Sequence, residues 1–127
     1  MNVTIETIPF RFGWRCICTV DPTLSKEDAM LFALEAFHKL PFENKLLRLE
    51  DGLTTDDGTL STTFRGIDNK DWLLSQYLRS PICLMMIVGT YKGQRMIVSI
   101  HFNRSRMVIT GSNRILIDEM VDLLNLK

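Results

Sequence analysis

The chain has 127 residues, of which 46% are hydrophobic and 24% charged, with fifteen basic side chains balancing fifteen acidic ones. This length predicts one domain, residues 1–127, burying roughly 65–70% of its unfolded surface, and the ordinary globular composition argues against disorder. No apolar run reaches the ~20 residues that span a bilayer, and the N-terminus MNVTIETIPF lacks the basic flank and apolar block of a signal peptide, so the expectation is a cytoplasmic chain without membrane association.

Taken in order, Val3–Ile8 reads as a first strand stopped by Pro9. From Phe10 to Val20 the alternation is regular. Phe10, Phe12, Trp14, Cys16, Cys18 and Val20 fall on one face and Arg11, Gly13, Arg15, Ile17 and Thr19 on the other. Arginines on the face opposite an aromatic row favour a core row with a solvated back over a base-stacking platform. Asp21-Pro22 breaks the strand. Ser25 followed three residues later by Asp28 starts a helix reaching about Leu40, with Met30, Ala33, Leu34, Phe37 and Leu40 as its apolar stripe. Leu31 lies within the polar face of that helix and Phe32 at its margin.

Residues 45–66 read as a hairpin, Lys45–Glu50 pairing with Thr59–Arg65 through the turn residues Asp51-Gly52 and Asp57-Gly58. Asp51, Asp56 and Asp57 do not have calcium-loop spacing. Asp68 and Asp71 cap a short helix from Asn69 to about Arg79, ended by Ser80-Pro81. Three strand-like runs follow, ICLMMIVGTY, RMIVSIHF and RMVITGS, separated by Lys92-Gly93-Gln94 and Asn103-Arg104-Ser105. Turns this short make an antiparallel meander, whose first run is apolar on both faces and therefore central. A last helix starts near Asn113 and buries Leu116, Ile117, Met120, Val121, Leu123 and Leu124. The order ββ-α-ββ-α-βββ-α predicts an α+β domain, an antiparallel sheet with helices packed mainly on one face.

Catalytic chemistry is sparse. His38 sits on an exposed helical face, and His101 shares a strand face with Ser99 but has no nearby acidic residue in sequence. Cys16-x-Cys18 has one residue between its thiols, where zinc sites use two to four and a second ligand pair. The odd count of cysteines (Cys16, Cys18, Cys83) in strand patterns predicts buried structural thiols in a reducing compartment. No cofactor, metal or enzymatic activity is expected.

Charge is unevenly placed. Residues 1–58 carry ten acidic and six basic side chains, residues 59–127 five acidic and nine basic, and no Asp or Glu lies between Arg79 and Ile117. Phe102-Asn-Arg-Ser-Arg-Met-Val-Ile-Thr-Gly111, leading into a helix, resembles a repeat of the TATA-box-binding-protein family, and the element order from Thr59 to Leu126 is similar to one repeat. The resemblance implies a TBP-like curved sheet. A second copy of the motif and the DNA-wedging phenylalanine pairs of that family are missing, so TATA recognition is not implied.

These features predict a non-catalytic binding or adaptor module acting through protein contacts. Its contact surface, to a protein partner or a second copy of the chain, is the Leu31–Phe32 face, where periodicity calls for charge. The alternative is nucleic-acid binding through the cationic meander, by Lys92, Arg95, Arg104, Arg106 and Arg114.

Overall fold

A computed structural model describes residues 2–21, 24–50, 61–64, 84–101 and 106–126. The elements are β1 (Asn2–Phe10), β2 (Gly13–Asp21), α1 (Lys26–Lys39), β3 (Glu43–Glu50), β4 (Ser61–Phe64), β5 (Leu84–Tyr91), β6 (Gln94–His101), β7 (Arg106–Gly111) and α2 (Arg114–Leu123). The domain is α+β, with one antiparallel sheet of seven strands in the order β1-β2-β7-β6-β5-β3-β4. The expected helix from Asn69 to Arg79, the Asp51-Gly52 and Asp57-Gly58 turns, Cys83 and Arg104 lie outside the described residues.

The register explains the core. Thr7, Cys16, Ile109, Val98, Ile87 and Leu47 form one rung across six strands, and the next rung runs Ile5, Cys18, Met107, Ile100 and Met85. Opposed residues of antiparallel strands share a face, so these rungs make one apolar surface. Cys16, Cys18, Ile109, Val98, Ile87, Leu47 and Met85 have no exposed surface. The same cluster takes in Met30, Ala33, Leu34 and Phe37 of α1 and Leu116, Ile117, Met120 and Val121 of α2. Both described helices thus bury their stripes against this face. On the other face Ile8, Arg15, Thr110, Ile97, Val88 and Leu46 form a rung of mostly half-buried residues.

Both helices begin at the residues whose side chains replace missing backbone partners. The Ser25 hydroxyl accepts from the Asp28 N–H at 3.1 Å, and the Asn113 side-chain oxygen accepts from the Ile115 N–H at 2.9 Å. α1 stops at Leu40, ahead of Pro41. There the Lys45 ammonium donates to the Leu40 carbonyl at 2.9 Å and lies 4.8 Å over the Phe37 ring, and its burial lowers its pKa.

The β1–β2 hairpin corrects the single strand read from Phe10 to Val20. Arg11 and Phe12 are a two-residue turn, Phe10 pairs with Gly13, and Pro9 lies within edge strand β1. The turn reverses the parity on its N-terminal side. Phe10 joins Arg15 on the second face, and Phe12 leaves the sheet altogether, while Trp14, Cys16 and Cys18 stay on the core face. Arg11 supplies the positive φ, 48°, that such turns require of their first residue. It does so without the Asn or Gly that normally marks the position in a sequence. The meander's first run, expected at the centre of the sheet, is interior as β5, but β6 is the middle strand of the seven.

Candidate functional site

The Arg11-Phe12 turn projects from one end of the sheet. β7 finishes there as well, since Gly111 pairs with Trp14, and α2 begins three residues later. Gly13 allows the two to meet. A Cβ on it would fall inside contact distance of the Gly111 carbonyl oxygen and 2.9 Å from the Ser112 Cα. The Ser112 hydroxyl donates to the Gln94 side-chain oxygen at 2.5 Å, tying the start of β6 to the same junction. Phe12 is 101% exposed and Ile115, in the first turn of α2, is 69% exposed, the two exposed large hydrophobic residues among the described ones. Between hairpin and junction, Phe10–Gly13 and Thr110–Ser112 line an open concavity of about 190 Å³.

Cations stack on the aromatic residues that flank the turn. The Arg15 guanidinium lies 3.7 Å from the centre of the Phe10 ring and that of Arg11 5.5 Å from it, while Arg114 lies 5.0 Å from the Trp14 ring. Arg15 Nε is buried without an acceptor, so the ring face substitutes for a hydrogen-bond partner. Lys92, at the β5–β6 turn of the same sheet end, pairs with Glu119 at 3.1 Å; each charge stabilises the other, raising the lysine pKa and lowering the glutamate pKa. The sequence has no Asp or Glu between Glu6 and Asp21 or between Asp71 and Asp118, so the cationic rim is built from stretches without acids.

The residues expected to bind divide differently in space than in sequence. Lys92, Arg95 and Arg114 stand at the hairpin end of the sheet. Arg106 opens β7 at the opposite end, paired with Thr19 and His101. Five residue steps of ~3.3 Å put its backbone roughly 17 Å from Gly111. Arg104 is outside the described residues. Leu31 and Phe32 are both half-buried. Phe32 packs against the core cluster and, with Val3, Val20, Leu24 and Leu126, lines an apolar cleft of about 50 Å³.

Phe12, Arg11 and Arg15 were missed by sequence reasoning, because an unbroken alternation hid the turn. The available signal was Gly13, a glycine inside a strand pattern, which marks close backbone approach. His38 is exposed on α1 and His101 half-buried on β6. Among the described residues no group of three or more His, Cys, Asp or Glu is placed to hold a metal. No described helix is long and apolar enough to cross a membrane. No family model, curated protein or solved structure matches the chain.

Proposed function

We propose that the protein is a non-catalytic binding module acting through protein contacts, and that the Phe12 hairpin makes the contact. The observation that carries this is the full exposure of Phe12 on a tight turn, whose flanking aromatics Phe10 and Trp14 carry Arg11, Arg15 and Arg114 against their rings. Leaving a phenylalanine ring in water forgoes about 1.5–3 kcal/mol of burial, which a partner pocket recovers. A two-residue turn closed by the Phe10–Gly13 pair also limits the backbone freedom lost on binding. The rim selects a partner of complementary charge, so the occupant is an acidic segment bearing an apolar residue. Leu31, the less engaged member of the Leu31–Phe32 pair, is a second and separable contact on α1.

Selection from a phage-displayed library of short peptides tests the reading. Enriched sequences should combine Asp or Glu with an apolar anchor. Phe12→Ser should weaken the best peptide by about thirtyfold, the effect of a hot spot worth roughly 2 kcal/mol. Absence of enrichment, or equal binding by the Phe12→Ser chain, refutes the hairpin as the contact.

Nucleic acid is the alternative occupant, favoured by the same stacking of cations and rings. Retention of short oligonucleotides at low salt, with a slope of about −3 to −4 in log affinity against log salt, would transfer the reading to it. That slope corresponds to neutralising roughly four phosphates, by Arg11, Arg15, Arg95 and Arg114. Arg106, at the far end of β7, contributes little to that count.

A further inference from the structure

We propose that Cys16 and Cys18 form a buried site for one copper(I) ion, with Met107 as the third sulfur donor. Alternation along β2 places both thiols on the core face, with their Sγ atoms 3.9 Å apart and no exposed surface. Met107, also buried, stands directly opposite Cys18 across the β2–β7 pair. The separation matches a shared metal. An ion making two bonds of ~2.3 Å, the length of a metal–thiolate bond, to sulfurs at this distance subtends an angle of about 115°. That angle is close to trigonal and leaves one position in the plane, for which Met107, at the register position opposite Cys18, is the nearest cross-strand soft donor.

The donor set decides which metal. Two thiolates and a thioether are soft ligands, which select copper(I), whereas calcium and magnesium take oxygen. Zinc favours four nitrogen, sulfur or carboxylate ligands, and among the described residues no third such group joins the two thiols. The surroundings also suit the monovalent ion. Both thiols belong to the buried hydrophobic cluster of the domain and have no exposed surface, so the site is shielded from water. The proton balance is simple. Binding of the ion displaces one proton from each of the two thiols to solvent, leaving both sulfurs as thiolate ligands with no change of oxidation state. Full burial means that loading waits on a local opening, for which edge strand β1, paired on one side only, is the nearest part of the sheet.

The test is anaerobic titration of the reduced full-length chain with copper(I) against a chromogenic copper(I) chelator. One ion per chain is expected. Cys83→Ser should keep that stoichiometry, Cys16→Ser with Cys18→Ser should abolish it, and Met107→Leu should lower affinity at least tenfold. X-ray absorption of the loaded wild-type chain should show a first shell of three sulfurs, a readout independent of whether the serine variants fold. No copper taken from the chelator, full stoichiometry without both thiols, unchanged affinity in Met107→Leu, or preferential binding of zinc each overturns the proposal.

Discussion

Gly13 and Gly111 face each other where the hairpin meets the last strand, and the structure assigns their alanine substitutions opposite signs. A Cβ on Gly13 meets backbone: the Gly111 carbonyl oxygen inside contact distance, the Ser112 Cα at 2.9 Å and the Gly111 carbonyl carbon at 3.1 Å. Backbone held in a sheet ladder on both sides does not yield as the tip of a side chain does, so the strands must separate. Overpacking of this kind costs about 1–3 kcal/mol. A Cβ on Gly111 instead meets the Met96 Cε at 3.4 Å and the Ile117 Cγ1 at 3.6 Å, ordinary contact with flexible side chains, and its φ is not positive. That alanine fits, and by restricting the unfolded chain it should stabilise by about 0.4–1 kcal/mol. For a domain of this size 1 kcal/mol moves the melting midpoint by roughly 3–5 °C. Thermal unfolding followed by circular dichroism should therefore show Gly13→Ala melting roughly 3–15 °C below wild type and Gly111→Ala a few degrees above it. Midpoints shifted in the same direction, or a Gly13→Ala midpoint equal to wild type, would refute the close approach on which the hairpin's placement rests.

Two further outcomes concern other parts of the molecule. In the folded chain hydrogen bonds from Cys18 and Thr7 hold the Cys16 pKa below the ordinary thiol value, while the Cys18 pKa is raised. A depressed acid stabilises the fold above its unfolded pKa and loses that contribution as pH falls through the folded one. Denaturation midpoints should thus rise between pH 7 and 9 in wild type and rise less in Cys16→Ser, and above pH 9 the raised Cys18 should reverse the trend; an identical pH profile in the two chains rejects the thiol pair as the cause. Leu31→Lys should leave the fold intact while changing oligomeric state or peptide capture, as read by light scattering and by the library assay, and wild-type behaviour in both removes Leu31 from any contact surface.

Much of the architecture was legible because burial and periodicity coincide. The α1 stripe of Met30, Ala33, Leu34, Phe37 and Leu40, the Ser25 and Asn113 caps, the pairing of β3 with β4 and the β5–β6–β7 meander all follow from spacing and turn residues. Lys92-Gly93 has positive φ at both positions, 50° and 77°, and the glycine announced it. Arg11-Phe12 carried no such mark. Its positive φ falls on an arginine, and the alternation continues through the turn, so the fully exposed Phe12 was assigned to the core. The site was missed for that reason. Arg106 shares a charge-poor stretch of sequence with Lys92, Arg95 and Arg114, but the extended β7 carries it to the opposite end of the sheet.

That order has a consequence for how the molecule is made. β2 is joined by turn to β1 and by sheet to β7, and nothing else in the sheet lies next to it. Its partner across Trp14 is Gly111, nearly a hundred positions further along the chain. A growing chain therefore carries an N-terminal hairpin that has no sheet to join until β7 has been synthesised, and an isolated hairpin is marginally stable in water. Pairing at such sequence separation is also slow. The Phe12 surface consequently takes shape late, when the C-terminal strand docks beside Cys16 and Cys18. On the proposed reading, a partner that needs the docked hairpin binds finished molecules more tightly than chains that lack β7.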